Sequence, residues 1–182
     1  MKRAGTQRAV LLDAAGIDAA LGHMAREIAG QCAGPLALVG IQTGGVVLAN
    51  RLVSKVAALT GKPPRTGTID ITLYRDDLAQ ATHFPEIRST DVLFDVGGIE
   101  IVLVDDVLYT GRTIRAALDA LMDLGRPRAV RLAVLMDRGG RELPIRPDFL
   151  GHPPVPALPS QSVTVQLAET DGIDQVILED LR

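Results

Sequence analysis

Tryptophan is missing and aromatic residues make up only 3% of the chain. A core therefore has to be built from Val, Leu, Ile and Ala rather than from stacked rings. A single cysteine, Cys32, excludes an internal disulfide framework, and its neighbours Gln31 and Ala33 do nothing to activate a thiol. No apolar run reaches the roughly 20 residues a membrane helix needs. No leader pattern opens the chain either, so no membrane association is expected and the expected compartment is the cytoplasm. Positive charge is not in excess: the formal net charge is −3, which neither supplies nor excludes a basic patch. The rest is ordinary, 47% apolar and 23% charged over 182 residues. That reads as one domain, residues 1–182, long enough for a substantial core.

Against that background one stretch stands out, Ile101 to Thr113. Ile101–Val104 is a continuous apolar run, the pattern of a strand covered on both faces. It leads into adjacent carboxylates, Asp105 and Asp106, then into a loop around Gly111. From Thr113 an amphipathic helix is expected, with Ile114, Ala117, Leu118, Leu121 and Met122 on one face and Gly125 and Pro127 as the stop. A glycine loop feeding a helix N-terminus turns N–H groups toward an anion. Thr110 and Thr113 add hydroxyls and Arg112 a charge. Paired carboxylates resist burial unless cations or donor hydroxyls meet them, and a ribose diol or Mg²⁺ would do so. The string therefore reads as a sugar-phosphate site; a receiver domain would place its acidic pair after the first strand, not past mid-chain.

A second strand–glycine loop–helix unit lies earlier. Leu36–Val39 is followed by Gly40–Gly45, then by a helix bearing Leu48, Leu52, Val56 and Leu59 that stops at Gly61 and Pro63. The loop lacks the Lys-Ser/Thr pair of a P-loop and the spacing of a dinucleotide fingerprint. Two such loops at the C-terminal edge of one parallel sheet are placed to share a ligand.

Elsewhere, Met1–Arg8 is expected to fray, and Asp13 to cap a helix carrying Ile17, Leu21, Met24 and Ile28, ended by Gly30 and Gly34. Thr66–Leu73 reads as a strand, and Tyr74–Thr90 as a long polar connection in which His83 has no metal-ligand spacing. Val92–Val96 and Ile99–Val104 bracket a hairpin-like turn at Gly97-Gly98. Ala129–Leu135 is another strand. Six prolines between Pro144 and Pro159 forbid long helices. Gln161–Leu167 and Gln175–Leu178 read as a strand pair about Asp171-Gly172.

The wording Val-Asp-Asp-Val-Leu-Tyr-Thr-Gly-Arg-Thr (Val104–Thr113), with Leu124–Pro127 and Asp137–Ile145, resembles the phosphoribosyl-pyrophosphate (PRPP) signature of type I phosphoribosyltransferases. More narrowly it resembles the bifunctional pyrimidine operon attenuator and uracil phosphoribosyltransferase family, over most of the chain. The resemblance implies an α/β fold: a central, mostly parallel twisted sheet flanked by helices. A small β-containing hood would be formed mainly by residues 137–182, with a possible N-terminal contribution. It implies ribose-phosphate binding by Asp105, Asp106, Val107, Leu108, Tyr109, Thr110, Gly111, Arg112 and Thr113. Gln42, Thr43 and Gly44 become the pyrophosphate loop. Arg75 and Arg88 become substrate contacts on a mobile loop. Mg²⁺ is implied as cofactor, met by Asp105 and Asp106 through water. Relatives commonly carry Arg at the position of Gly44, so Gly44→Arg is expected to restore a cationic contact and lower the KM for PRPP.

Purine-using relatives place Asp where this chain has Tyr109, which tilts the expected base toward uracil. Backbone groups near Met136 and Val163 would hold it, with Arg138 close by; no general base emerges. UMP and UTP are the implied effectors, and a homodimer or tetramer the implied assembly. The family's second activity, attenuation through a pyrimidine leader RNA, would draw on Arg26, Arg141 and Arg146. Other cationic positions of the RNA face have become Gly140, His152 and a proline-rich run, so losing them weakens phosphate neutralisation. An attenuator with little catalysis, or an enzyme for another nucleobase, stays open as the alternative.

Overall fold

The computed structural model describes residues 8–74 and 90–181; the expectations for Arg75, His83 and Arg88 lie outside the described residues. The main sheet contains β2 (Leu36–Ile41), β3 (Arg65–Ile69), β4 (Glu100–Leu108), β5 (Ala129–Asp137) and β6 (Phe149–Leu150). Their order is β3-β2-β4-β5-β6, and every neighbouring pair is parallel. Helices cover both faces. Leu38, Val102, Val104 and Leu135 pack with α1 (Ala14–Gln31) and α2 (Gly44–Thr60). Their strand neighbours Ala37, Val39, Ile101, Leu103 and Val134 point the other way, toward α3 (Arg112–Asp123). Two covered faces explain why the strands read as unbroken apolar runs instead of alternating ones.

The helices begin and end for local reasons. The Asp13 carboxylate accepts the Gly16 N–H at 2.8 Å and caps α1, which buries Ile17, Leu21, Met24 and Ile28. Gly61, at φ +74°, ends α2 in the left-handed conformation that side chains with a Cβ avoid.

A second sheet is antiparallel, in the order β1 (Arg8–Asp13), β8 (Gln175–Asp180), β7 (Gln161–Gln166). One short turn of helix, α4 (Ala168–Asp171), joins β7 to β8. Arg51 of α2 fastens this sheet to the main body. Its guanidinium donates to both carboxylate oxygens of Glu169 and both of Asp174. Those bonds hold the Glu169 and Asp174 carboxyls below the usual range.

Several expectations shift. β4 runs on through both aspartates to Leu108, and α3 starts at Arg112. β3 stops at Ile69 instead of Leu73 because the Asp70 carboxylate accepts from the Thr72 N–H and hydroxyl, which turns the chain. Val92–Val96 is not a strand. The chain there makes one antiparallel bridge, Asp91 to Thr68, and then drops Val96 into the core. The N-terminal strand β1 and the two-residue β6 were not read from the sequence. At the edge of the sheet away from the glycine loops, buried Glu100 pairs with Arg128 and Arg131. Burial, with the Glu100 carboxylate beside it, pushes the Cys32 thiol up to about 11; it stays a thiol at neutral pH, in line with an inert residue.

Candidate functional site

Parallel pairing of β2 with β4 brings their C-terminal ends side by side, so the loop after β2, the end of β4 and Thr113 border one cavity of about 440 Å³, whose wall does not include Tyr109, Thr110, Gly111 or Arg112. Gln42, Thr43 and Gly44 line it from the end of β2; Asp105, Asp106 and Val107 from β4; Thr113 from the start of α3. Seven of the residues singled out from sequence thus share one space. Three more wall residues, Asp70, Ile71 and Thr72, were missed because Thr66–Leu73 read as one strand. The available signal was the Asp-x-Thr spacing, a side-chain-to-backbone turn that ends a strand.

Asp105 is only 7% exposed. Burial raises its carboxyl well above the ordinary value of 3.8, and the neighbouring Asp106 raises it further. Asp106 is also raised, chiefly by burial. What partly offsets this is backbone: the Asp106 N–H donates to Asp105 at 3.1 Å and the Val107 N–H to Asp106 at 2.7 Å. No cationic side chain is among the described residues lining the cavity. An acidic pair so placed favours cations and hydroxyl donors as company.

Gly44 meets this pair closely. A Cβ there would run into the Asp106 carboxylate, with Cγ at 2.9 Å. The space an Arg side chain would enter at Gly44 is therefore bordered by the Asp106 carboxylate.

The loop after β4 depends on Gly111, whose φ of +93° is costly for other residues. Its outer side is packed by Leu143 and Ile145. Arg112 pairs with Glu142 at 2.6 Å. Leu108 is 1% exposed and belongs to the core, so only its backbone is available to a ligand. Tyr109 is 42% exposed, and the Arg138 guanidinium lies 3.9 Å over its ring. Arg138 also donates to the carbonyls of Leu158 and Gln161, so it joins the loop to the approach to β7. Met136 is fully buried and Val163 8% exposed, which leaves mainly main-chain groups to meet a base. Arg26 and Arg146 are exposed. Arg141, expected to face RNA, has its guanidinium turned inward onto Asp137 and onto backbone carbonyls.

Among the described residues no three acidic, histidine or cysteine side chains converge closely enough to cage a metal ion. The donors present are hard oxygens of carboxylates and hydroxyls, which suit Mg²⁺. They fit an ion that takes most of its ligands from a bound phosphate ester or from water. No helix among the described residues is long and apolar enough to cross a membrane.

Comparison with known proteins agrees with this geometry. The family model described as phosphoribosyl transferase domain matches residues 9–155. A bifunctional protein PyrR from Deinococcus deserti is 53% identical over 176 residues, covering 96% of each chain. One from Thermus thermophilus is 53% identical over 173 residues, covering 94% of this chain and 95% of the relative. In fold, the chain is similar to the hypoxanthine phosphoribosyltransferase of Trypanosoma cruzi. The TM-score is 0.68 at 17% identity, covering 95% of this chain and 97% of that one.

Proposed function

Because the chain belongs to the phosphoribosyltransferase family, and within it to the bifunctional PyrR proteins, we propose that it transfers phosphoribosyl from PRPP to uracil, giving UMP and pyrophosphate. The observation that carries this reading is the cavity lined by Gln42–Gly44, by the acidic pair and by Thr113 at the start of α3. The loop Tyr109–Thr113, at the N-terminus of α3, anchors the 5-phosphate through N–H groups and hydroxyls. Asp105 and Asp106 grip the ribose diol, which supplies the donors that two buried carboxylates need. Gln42, Thr43 and Gly44 take the pyrophosphate end with their backbone, at the N-terminus of α2.

When bound, Mg²⁺ would neutralise the leaving pyrophosphate, with Asp105 and Asp106 meeting it through water. As the bond to pyrophosphate lengthens, positive charge grows on the ribose ring, and the acidic pair that grips its diol stabilises that charge. Uracil is held by main-chain groups near Met136 and Val163, with Arg138 alongside. Tyr109 favours a pyrimidine, since a phenol offers no carboxylate to a purine ring N–H. The test is UMP formation from uracil and PRPP, with hypoxanthine and orotate as competitors. Turnover with uracil is expected, and its loss in Asp105→Asn/Asp106→Asn at unchanged circular dichroism. Robust turnover in that variant removes the diol role.

That the relatives are bifunctional proteins supports a second activity: uridine-nucleotide-dependent binding of a pyrimidine leader RNA. UMP and UTP act as effectors, and the exposed Arg26 and Arg146 as contacts. Filter binding at two salt concentrations, with and without UMP, checks it; affinity that ignores salt and UMP argues against it. A cytoplasmic homodimer or tetramer is the assembly we propose.

A further inference from the structure

We infer that Arg141 is a positioning residue for the phosphate loop, acting through that loop's backbone carbonyls rather than on substrate or RNA. The inference rests on the proposed phosphate-binding role of Tyr109–Thr113.

The structural observation is where the loop's carbonyls point. Arg141 donates to the Tyr109 carbonyl at 2.8 Å and, more weakly, to the Leu108 carbonyl at 3.4 Å. The N–H groups of Glu142 and Leu143 both donate to the Thr110 carbonyl, at 3.0 and 3.1 Å. A trans peptide is planar, with its C=O and N–H on opposite sides. Turning the Tyr109 and Thr110 carbonyls out toward residues 141–143 therefore turns the Thr110 and Gly111 N–H groups the other way. That is the arrangement an anion nest needs. Left alone, a glycine-bearing loop has no reason to hold two successive peptides in that orientation.

Arg141 is itself held in place. It donates to the Ile145 carbonyl at 2.9 Å and to the Asp137 carboxylate at 2.5 Å. Asp137 in turn accepts the Gly139 N–H at 2.9 Å. The guanidinium thus sits between the end of β5, the turn at Ile145 and the back of the phosphate loop, and its side chain is only 23% exposed. A planar fork of five donors can serve that many acceptors; an ammonium on a flexible stem can serve only some of them.

The experiment compares Arg141→Gln and Arg141→Lys with the unaltered protein in steady-state uracil phosphoribosyl transfer, with thermal melting alongside. Arg141→Gln is expected to raise the KM for PRPP about tenfold, the scale of one charge-assisted hydrogen bond. The KM for uracil should stay within about twofold, and Arg141→Lys should fall between the two. A general loss of structure would instead move both KM values or lower the active fraction with neither changed, and either result overturns the inference. So does a PRPP KM unchanged in Arg141→Gln. If the Gln variant does not fold, Arg141→Lys decides by the same split between the two substrates. Thr113→Ala separates this inference from the reading beneath it. If Thr113→Ala weakens PRPP use and Arg141→Gln does not, only the positioning role fails; if neither does, the phosphate-loop reading fails.

Discussion

Asp105 shows how a single residue can cost stability for the sake of a ligand. Burial holds its carboxyl above the ordinary 3.8, so the ionised form is disfavoured in the fold. The sign follows by linkage: the penalty is present above the raised pKa and fades as pH falls through it toward 3.8. Asp105→Asn is therefore expected to melt higher than the unaltered protein at mildly alkaline pH, by about 2–4 °C for each kcal/mol relieved. The gap should narrow in acid. Melting curves across pH check this, and an Asn variant that melts lower at alkaline pH contradicts it. For Gly44→Arg the structure sets a steric cost against the contact expected from sequence. The new Cβ displaces the Asp106 carboxylate from the Val107 N–H, a bond of about 0.5–1.5 kcal/mol. The KM for PRPP should rise by roughly two- to tenfold; a fall would show that Asp106 rotates away at no cost. The acidic pair, Gly111 and Thr113 were legible in the sequence because chemistry and spacing coincide there. The inward turn of Arg141 was not, since it depends on the Tyr109 carbonyl that a distant segment places opposite it; Asp70 was missed although its spacing to Thr72 was a local signal.

Among the elements, β2, α2, β4, α3 and β5 were readable from continuous apolar runs and from helical spacing ended by glycine. β1 was not: Ala9–Leu12 pair with β8 from the far end of the sequence, and no local pattern announces such a partner. β6 has only two residues and is defined by its pairing with β5. The Arg51 tie between α2 and the turn before β8 joins two elements whose sequence separation hides the link. Arg51→Ala leaves Glu169 and Asp174 facing each other without their cation. A stability loss of about 1–2 kcal/mol is expected at neutral pH, discounted because Glu169 is half exposed. Since these carboxyls sit below their ordinary values, the tie is at full strength above the unfolded-state pKa and is lost as pH falls through the lowered one. Urea midpoints of the two proteins should therefore converge in acid. Midpoints that stay equally apart would mean that Arg51 acts through packing alone.

At the scale of the molecule, the antiparallel sheet is made from both ends of the chain. β8 is its middle strand, between β1 and β7. Removing residues 173–182 is expected to strip β1 and β7 of their shared neighbour and abolish uracil turnover, read by activity and by limited proteolysis near Arg8–Asp13. Intact turnover would mean that the hood is dispensable for the base.

The same arrangement bears on how the chain is wired. Arg8 stands opposite Glu179 in the β1–β8 ladder, so a hairpin-sized linker from Asp180 to Arg8 would only complete a ladder that already exists. A circularly permuted protein, opened instead at the exposed Gly97-Gly98 turn, should adopt the same tertiary structure. During synthesis on the ribosome, by contrast, β1 has to wait without its partner until β8 has emerged.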